Sequence, residues 1–297
     1  MKCGAIDIGT NSCRLLIADR TDKGLTAKVK RIKTTRVGAG VAQQHRISRE
    51  AVEKTADCLR SFYYVLQTHQ AEYFRVVATS AVREADNRQE FLAYINEKTG
   101  FAVEVISGKE EACLSYTGVI NELPLSGLDL PAVVDLGGGS TEFIWRDDDF
   151  EHVYSLPLGA VRASEEHYRE QKIRQVLEDS RLSSKIQGNH PLVMVGGTAT
   201  TLVAIKLKLK EYDPCLVHGQ KITKTETRLI YRQLADMLPE ERRQLPGLQP
   251  ERADIIPAGT LIVLMIMEYW GREEIIVSES DILEGIIWGL DLRKAVE

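Results

Sequence analysis

Two stretches decide the fold. They are Ala5-Ile6-Asp7-Ile8-Gly9-Thr10-Asn11-Ser12 near the start, and Val134-Asp135-Leu136-Gly137-Gly138-Gly139-Ser140-Thr141-Glu142 near the middle. Both carry the pattern Asp-apolar-Gly-x-x-Ser, and in both a turn of small polar residues separates two apolar runs. For the first these runs are 2–8 and 14–18; for the second they are 132–134 and 141–145. Such a pattern reads as a β-hairpin. A motif that returns once per half chain predicts a duplicated architecture, with one hairpin opening each of two domains and the pair facing a shared cleft. The plainer reading, two unrelated turns that look alike, stays open, because Asp before a Gly-rich turn is common.

Outward from these hairpins, 27–36 alternates as a strand with one charged face. Apolar residues at helical spacing follow the N-cap candidate Ser48, predicting a helix over 48–67. A strand is expected at 74–79, and a helix over 87–99 ended by Gly100. A further strand at 101–106 leads into a helix over 109–121. Pro124, Ser126 and Gly127 interrupt the pattern over 122–130, which reads as the connection between domains. The expected domains are an N-terminal lobe over 1–122 and a C-terminal lobe over 123–297, the last helix being able to pack back on the first lobe. In the second lobe, helical stretches are expected over 162–184. A strand at 192–195 runs into Gly196-Gly197-Thr198, a strand is expected at 274–278, and a final helix at 282–296.

Length and composition narrow the class. At 297 residues the chain suits two ordinary domains. Its 43% hydrophobic and 27% charged residues are those of a globular protein. A formal charge of -5 offers no global attraction to nucleic acid, so a polyanionic substrate would need a local basic track. The aromatic content of 6% lacks the interleaving with basic residues that single-stranded nucleic acid requires. Asp7 interrupts the first apolar run before a signal segment could form. The most apolar later run, 255–267, is shorter than the roughly 20 residues of a membrane span. The five cysteines show no CxxC pair. They suggest neither a disulfide framework nor a zinc site, and a reducing cytoplasm is the expected compartment.

The chemistry of the motifs points to phosphate. A turn of small residues exposes successive backbone N–H groups that can surround an anion. Thr10, Asn11 and Ser12 form one such turn; Gly137, Gly138, Gly139, Ser140 and Thr141 form the other. Asp7, Asp135 and Glu142 would repel a bare phosphate and make sense beside it if magnesium bridges them to it. Glu110 and Glu111 lie at a strand-to-helix transition. There one carboxylate could deprotonate water for in-line attack on a phosphoryl group, or both could simply cap the helix. Arg83, after small residues, could neutralise charge on that group or lie on the surface. Gly196-Gly197-Thr198 is either a nucleotide contact or a close helix–strand crossing. The basic runs Lys28–Arg36 and Lys206–Lys210 are either solvated faces or a polyanion track, and His218 with Gly219 would suit an anion contact. No GxGxxG, GxxxxGK[ST] or GxSxG motif is present.

Taken in order, these blocks resemble the exopolyphosphatase/guanosine pentaphosphate phosphatase (Ppx/GppA) family. The blocks are the Asp7–Ser12 turn, Thr79-Ser80-Ala81-Val82-Arg83-Glu84-Ala85, Ile106-Ser107-Gly108-Lys109-Glu110-Glu111-Ala112 and the Asp135–Glu142 turn. Leu156-Pro157-Leu158-Gly159-Ala160-Val161-Arg162, Gly196-Gly197-Thr198, Val217-His218-Gly219 and Arg252-Ala253-Asp254-Ile255-Ile256 continue the match across nearly the whole chain. The resemblance implies an α/β, two-lobed actin-like ATPase fold of ribonuclease H-like lobes with an interdomain cleft. It also implies magnesium-assisted removal of a terminal phosphoryl group by water. Carried over by position, Glu111 is the catalytic base, Asp135 and Glu142 hold the metal with Asp7 as a helper, and Arg83 and both turns grip phosphate. Since that reaction needs no ATP, the resemblance argues against nucleotide use at Gly196-Gly197-Thr198. Many members carry an extra helical C-terminal region, and by its length this sequence resembles the short two-domain form.

The expected activity is an exopolyphosphatase acting on inorganic polyphosphate, with pppGpp 5′-phosphohydrolase as its sibling. Two readings of other classes are an ATP-dependent kinase of the same superfamily, which would consume ATP and an acceptor together, and a non-catalytic polyphosphate or alarmone sensor. The partners expected are polyphosphate or pppGpp, with neither nucleic acid nor membrane, and a homodimer is left open.

Overall fold

The computed structural model describes residues 1–291 except 23, 124–129, 148–149 and 183–189. The expected connection over 122–130 and the ends of the helices expected at 162–184 and 282–296 thus lie largely outside the described residues. The chain divides into two compact units, one formed by Met1–Glu122 with Asp281–Glu297, the other by Leu123–Ser280.

The first unit is built on five strands: β1 (Lys2–Ile8), β2 (Ser12–Thr21), β3 (Gly24–Thr34), β4 (Tyr73–Ala78) and β5 (Glu104–Val105). They lie in the order β3-β2-β1-β4-β5. The β1–β2 and β2–β3 pairs are antiparallel, and β1–β4 and β4–β5 are parallel. The second unit has β6 (Ala132–Leu136), β7 (Thr141–Asp147), β8 (Phe150–Leu156), β9 (Leu192–Val195), β10 (Lys221–Thr223) and β11 (Glu274–Val277). Its order is β10-β11-β9-β6-β7-β8. Read from β8 to β11, this repeats the first sheet strand for strand, with the same senses of pairing. The α/β class and the duplicated, mixed, actin-like sheet are therefore features of the structure. Strands β8 and β10 have no counterpart in the sequence expectation; β10 has only three residues, and β8 mixes polar with apolar residues over its seven.

In the first unit, side-chain alternation along the strands sends Ile6 and Ile8 into one core with the helices Arg49–Thr68 and Arg88–Thr99. It sends Cys3 and Ala5, with Leu16 and Ala18 of β2, into another core closed by Ile282, Leu283, Ile286 and Ile287 of the last helix. That helix, Ile282–Gly289, crosses Gly108–Glu122 at very short range. A Cβ on Gly285 would lie 1.8 Å from the Leu114 carbonyl oxygen, and one on Gly118 2.0 Å from that of Asp281. The helix carrying Glu111 is thereby fixed to the helix that Asp281 caps. Helix ends follow local chemistry: Ser48 Oγ accepts from Ala51 N–H at 3.2 Å, and Gly100 takes the left-handed conformation at φ 75°.

In the second unit a single large core surrounds the helix Ile256–Tyr269, of which ten residues are buried. This is the apolar run 255–267, and its length of 14 residues is that of a core helix. Among the described residues no helix is long and apolar enough to cross a membrane.

Candidate active site

The two hairpins close identically. Gly9 N–H donates to the Ser12 carbonyl at 3.1 Å, and Gly137 N–H to the Ser140 carbonyl at 3.0 Å. Other carbonyls of each turn are held by the chain that packs behind it. In the first, Thr10 C=O accepts from Gly38 N–H, and Asn11 C=O from Thr35 and Arg36 N–H. In the second, Gly137 C=O accepts from Ala160 N–H and Gly138 C=O from Val161 and Arg162 N–H, while Gly139 C=O accepts from Arg162 Nε at 2.9 Å. Among the described residues, the amides of Thr10, Asn11, Gly138, Gly139 and Ser140 donate to no protein acceptor. With these carbonyls held behind and their N–H groups uncommitted, both turns have the form of a nest that an anion could enter.

A glycine lets each backing segment approach. A Cβ on Gly38 would lie 2.2 Å from Thr10 Cγ2, and one on Gly159 only 2.3 Å from the Gly138 carbonyl oxygen. The sequence reading did not single out Gly38; the repetition of Gly in Val37-Gly38-Ala39-Gly40 was the available signal. Asn11 Nδ2 donates to Ser12 Oγ at 3.3 Å. Thr141, expected as part of the second phosphate-binding turn, gives its hydroxyl proton to the Leu158 carbonyl and fastens the turn to the segment behind it.

The acidic residues lie on the strands that enter and leave these turns. Asp7 and Arg14 are direct cross-strand partners in β1 and β2. Arg14 Nε and Nη2 both donate to Asp7 Oδ2, at 2.9 and 2.7 Å, and its Nη1 donates to Asp281 Oδ2. Asp7 is 3% exposed, and its Oδ1 has no hydrogen-bond partner. Burial pushes the Asp7 carboxyl above its ordinary value and Arg14 pulls it back, burial being the larger effect. Nothing in the sequence links Arg14 to Asp281; the contact exists because the last helix covers this face of β1 and β2. In the second unit the position matching Arg14 is Glu142, which faces Asp135 across β6 and β7. Glu142 is fully buried and its Oε1 accepts from Ser155 Oγ at 2.7 Å. A Cβ on Gly196 would come within 3.3 Å of Asp135 Oδ1, so that loop lies against the carboxylate.

Glu110 and Glu111 separate. Glu110 points outward, where it binds Arg75 at 2.6 Å, and Arg75 also holds Glu104. Glu111 is 8% exposed and its Oε2 accepts from Arg83 Nη1 at 3.0 Å. The same Nη1 donates to the Ile106 carbonyl at 2.9 Å. Among the described residues Arg83 Nε and Nη2 have no protein acceptor. The structure thus brings the two catalytic candidates together, one inward-facing acid with one guanidinium that has donors to spare. It gives other work to most of the basic runs: Lys28 pairs with Asp19, Lys30 with Glu284 and Lys206 with Glu226, and Lys33 donates to Ser61. His218 Nδ1 accepts from Glu279 N–H at 3.2 Å. Arg252 lies over Gly197, where a Cβ would meet its guanidinium at 2.1 Å, so Gly196-Gly197-Thr198 is at least a close crossing.

Comparison with known proteins gives a consistent picture. The model of the Ppx/GppA phosphatase family matches residues 16–294. Exopolyphosphatase 2 of Mycobacterium tuberculosis is 34% identical, over 97% of this chain and 98% of its own length. The guanosine-5′-triphosphate,3′-diphosphate pyrophosphatase of Vibrio cholerae is 30% identical over 98% of this chain, which spans 60% of that protein. The bifunctional 3-dehydroquinate synthase/phosphatase of Fusobacterium nucleatum is 32% identical, and the chain spans 46% of it. Among solved structures, the Aquifex aeolicus Ppx/GppA family member superposes with a TM-score of 0.79 at 31% identity, covering 96% of both chains.

Proposed function

Because the chain belongs to the Ppx/GppA phosphatase family, we propose that it hydrolyses the terminal phosphoryl group of inorganic polyphosphate, in the cytoplasm, with Mg2+ as cofactor. The observation that carries this reading is the twice-built turn whose carbonyls are held behind it and whose amides are left without acceptors. A substrate made of successive phosphoryl groups suits a protein with two such cradles. The extent of the match to exopolyphosphatase 2, nearly end to end in both chains, supports polyphosphate over the sibling substrate pppGpp. The five free cysteines fit a reducing compartment.

The amides of Thr10, Asn11, Gly138, Gly139 and Ser140, with the hydroxyls of Thr10, Ser12 and Ser140, bind phosphoryl oxygens. Thr141 braces the second turn. Arg83 orients Glu111 through Nη1 and offers Nε and Nη2 to the transferring group. Glu111 takes a proton from water as the water oxygen bonds to the terminal phosphorus and the bridging P–O bond breaks. The electron pair of that bond leaves on the shortened chain, and orthophosphate is released.

The residues fit a magnesium ion. Among the described residues no three His, Cys, Asp or Glu side chains form a ready metal cage, and magnesium needs only one or two carboxylates beside water and phosphate oxygens. Asp135 and Glu142, opposed on neighbouring strands, would hold it, with Asp7 Oδ1 as helper. When bound, it would neutralise charge on the phosphoryl oxygens.

The test is orthophosphate release from long polyphosphate, triphosphate and pppGpp, with and without Mg2+. Release from polyphosphate that requires Mg2+, and that falls at least about 100-fold in Glu111→Gln, is the expected result. Full turnover by Glu111→Gln would remove the base. Consumption of ATP with an acceptor, or tight binding without turnover, would replace the hydrolase by a kinase or a sensor.

A further inference from the structure

The Asp7–Arg14–Asp281 chain is an arrangement for aiming one oxygen atom. Arg14 places two of its N–H groups on Asp7 Oδ2 and a third on Asp281 Oδ2. Asp281 is itself fixed, since its Oδ1 accepts from Leu283 N–H at 3.2 Å as the N-cap of the last helix. Glu284 completes a capping box with the Asp281 N–H at 2.9 Å. Every polar atom in this chain of contacts has a partner except Asp7 Oδ1, which is buried. The carboxylate lies beneath the first turn, where a Cβ on Gly9 would be 3.5 Å from Oδ2 and 4.0 Å from Oδ1. A buried acceptor without a partner is costly. A fork that occupies only one carboxylate oxygen leaves the other in a set position.

We propose that Arg14, anchored by Asp281, is a positioning residue that presents Asp7 Oδ1 to the divalent cation of the phosphohydrolase reaction. This rests on the assignment of Asp7 as a helper ligand made above. Neither Arg14 nor Asp281 touches substrate; both act through Asp7. Partners that orient a metal-binding carboxylate affect cation affinity as well as rate, by about 10- to 100-fold when removed. A residue that only stabilised the sheet would affect neither in the folded protein.

The experiment uses the full chain and Mn2+ as the probe, titrated by electron paramagnetic resonance without substrate. Phosphate release from polyphosphate is followed in parallel against Mg2+ concentration, with a thermal melt for each variant. Arg14→Gln is expected to weaken Mn2+ binding about 10-fold or more, raise the half-saturating Mg2+ similarly, and lower kcat with little change in KM for polyphosphate. Asp281→Asn keeps the helix cap, for which Asn serves as well as Asp, but loses the acceptor that holds Arg14. It should therefore reproduce the cation defect in a chain that still folds, as the melt checks, and it decides the matter if Arg14→Gln does not fold. Arg14→Lys, which keeps the charge and loses the fork, should recover part of the affinity. Mn2+ binding within twofold of wild type in folded Asp281→Asn overturns the proposal. A wild-type chain that binds Mn2+ but releases no phosphate from any substrate overturns the hydrolase assignment instead, and the binding comparison still judges Arg14.

Discussion

The two hairpins share a backbone design and differ in one side chain that reverses the charge of the site. Both begin with an aspartate at the end of the entering strand, close by the same Gly N–H to Ser C=O bond, and turn their carbonyls back into the protein. Across the sheet from Asp7 stands Arg14, and across from Asp135 stands Glu142. The first hairpin carries its own cation. The second opposes acid to acid, an arrangement that disfavours pairing in a sheet and suits a site for a divalent ion. The two hairpins thus share the amide cradle and differ in the charge that flanks it.

The strongest way to break this comparison is to exchange the differing side chains. Glu142→Arg would copy the first hairpin into the second. It is expected to abolish Mg2+ dependence along with activity, a loss of about 1,000-fold or more, on the scale of removing cation stabilisation of the transferring group. Phosphate release at saturating Mg2+ measures it. Activity within tenfold of wild type would mean that the second hairpin does not hold the metal. The reverse exchange, Arg14→Glu, would set three carboxylates together at Asp7, residue 14 and Asp281. Because Arg14 is the shared partner of two buried acids, its loss should cost roughly 3 kcal/mol of stability. Urea unfolding gives that number, and an unchanged midpoint would show that the ion pairs are replaceable.

A finer difference lies behind the turns. A Cβ on Gly159 would meet the peptide of Gly138, with contacts of 2.3 to 2.5 Å to backbone atoms that have no room to move. A Cβ on Gly38 would meet the Thr10 methyl, which can rotate, and otherwise comes no closer than 3.1 Å. Gly159→Ala should therefore destabilise by about 2–3 kcal/mol and raise KM for polyphosphate, and Gly38→Ala by about 1 kcal/mol. Equal effects in denaturant melts would show that the second turn is as pliable as the first.

These contrasts also mark where sequence reasoning stops. The hairpins and their repeat were legible because Asp-apolar-Gly-x-x-Ser between apolar runs is local chemistry, as were the Ser48 cap and the Gly100 stop. The separation of Glu110 from Glu111 was not, since adjacent residues on a helix differ in burial only once the neighbouring elements are placed. The Arg14–Asp281 contact was still less accessible. It joins β2 to a helix near the other end of the chain and depends on which unit that helix joins. Strand β10 was missed because three residues are too few to show a period, and β8 because polar residues are interspersed through its apolar ones.

The last effect concerns the far end of the first hairpin's charge cluster. Glu284, in the first turn of the last helix, is buried beside Asp281, and Lys30 lies 3.7 Å away. Burial, opposed by Lys30 and reinforced by Asp281, raises its carboxyl to about 7. A carboxyl raised on folding binds more protons in the folded state than in the unfolded one. Its contribution to stability is therefore complete below the ordinary carboxylate range near 4.5 and is lost as pH rises through 7. The chain should lose stability between pH 5 and 8, by roughly 1–2 kcal/mol after allowance for the partial screening of Lys30. Glu284→Gln keeps a side chain that can accept from the Asp281 N–H, as Gln does in capping boxes, but has no proton to lose. Its unfolding midpoint should change less over that range than wild type does, and should exceed the wild-type value at pH 8. If wild type and variant fall in parallel, the pH dependence arises elsewhere, and the Lys30 ammonium neutralises Glu284 as fully as Arg14 neutralises its own partners.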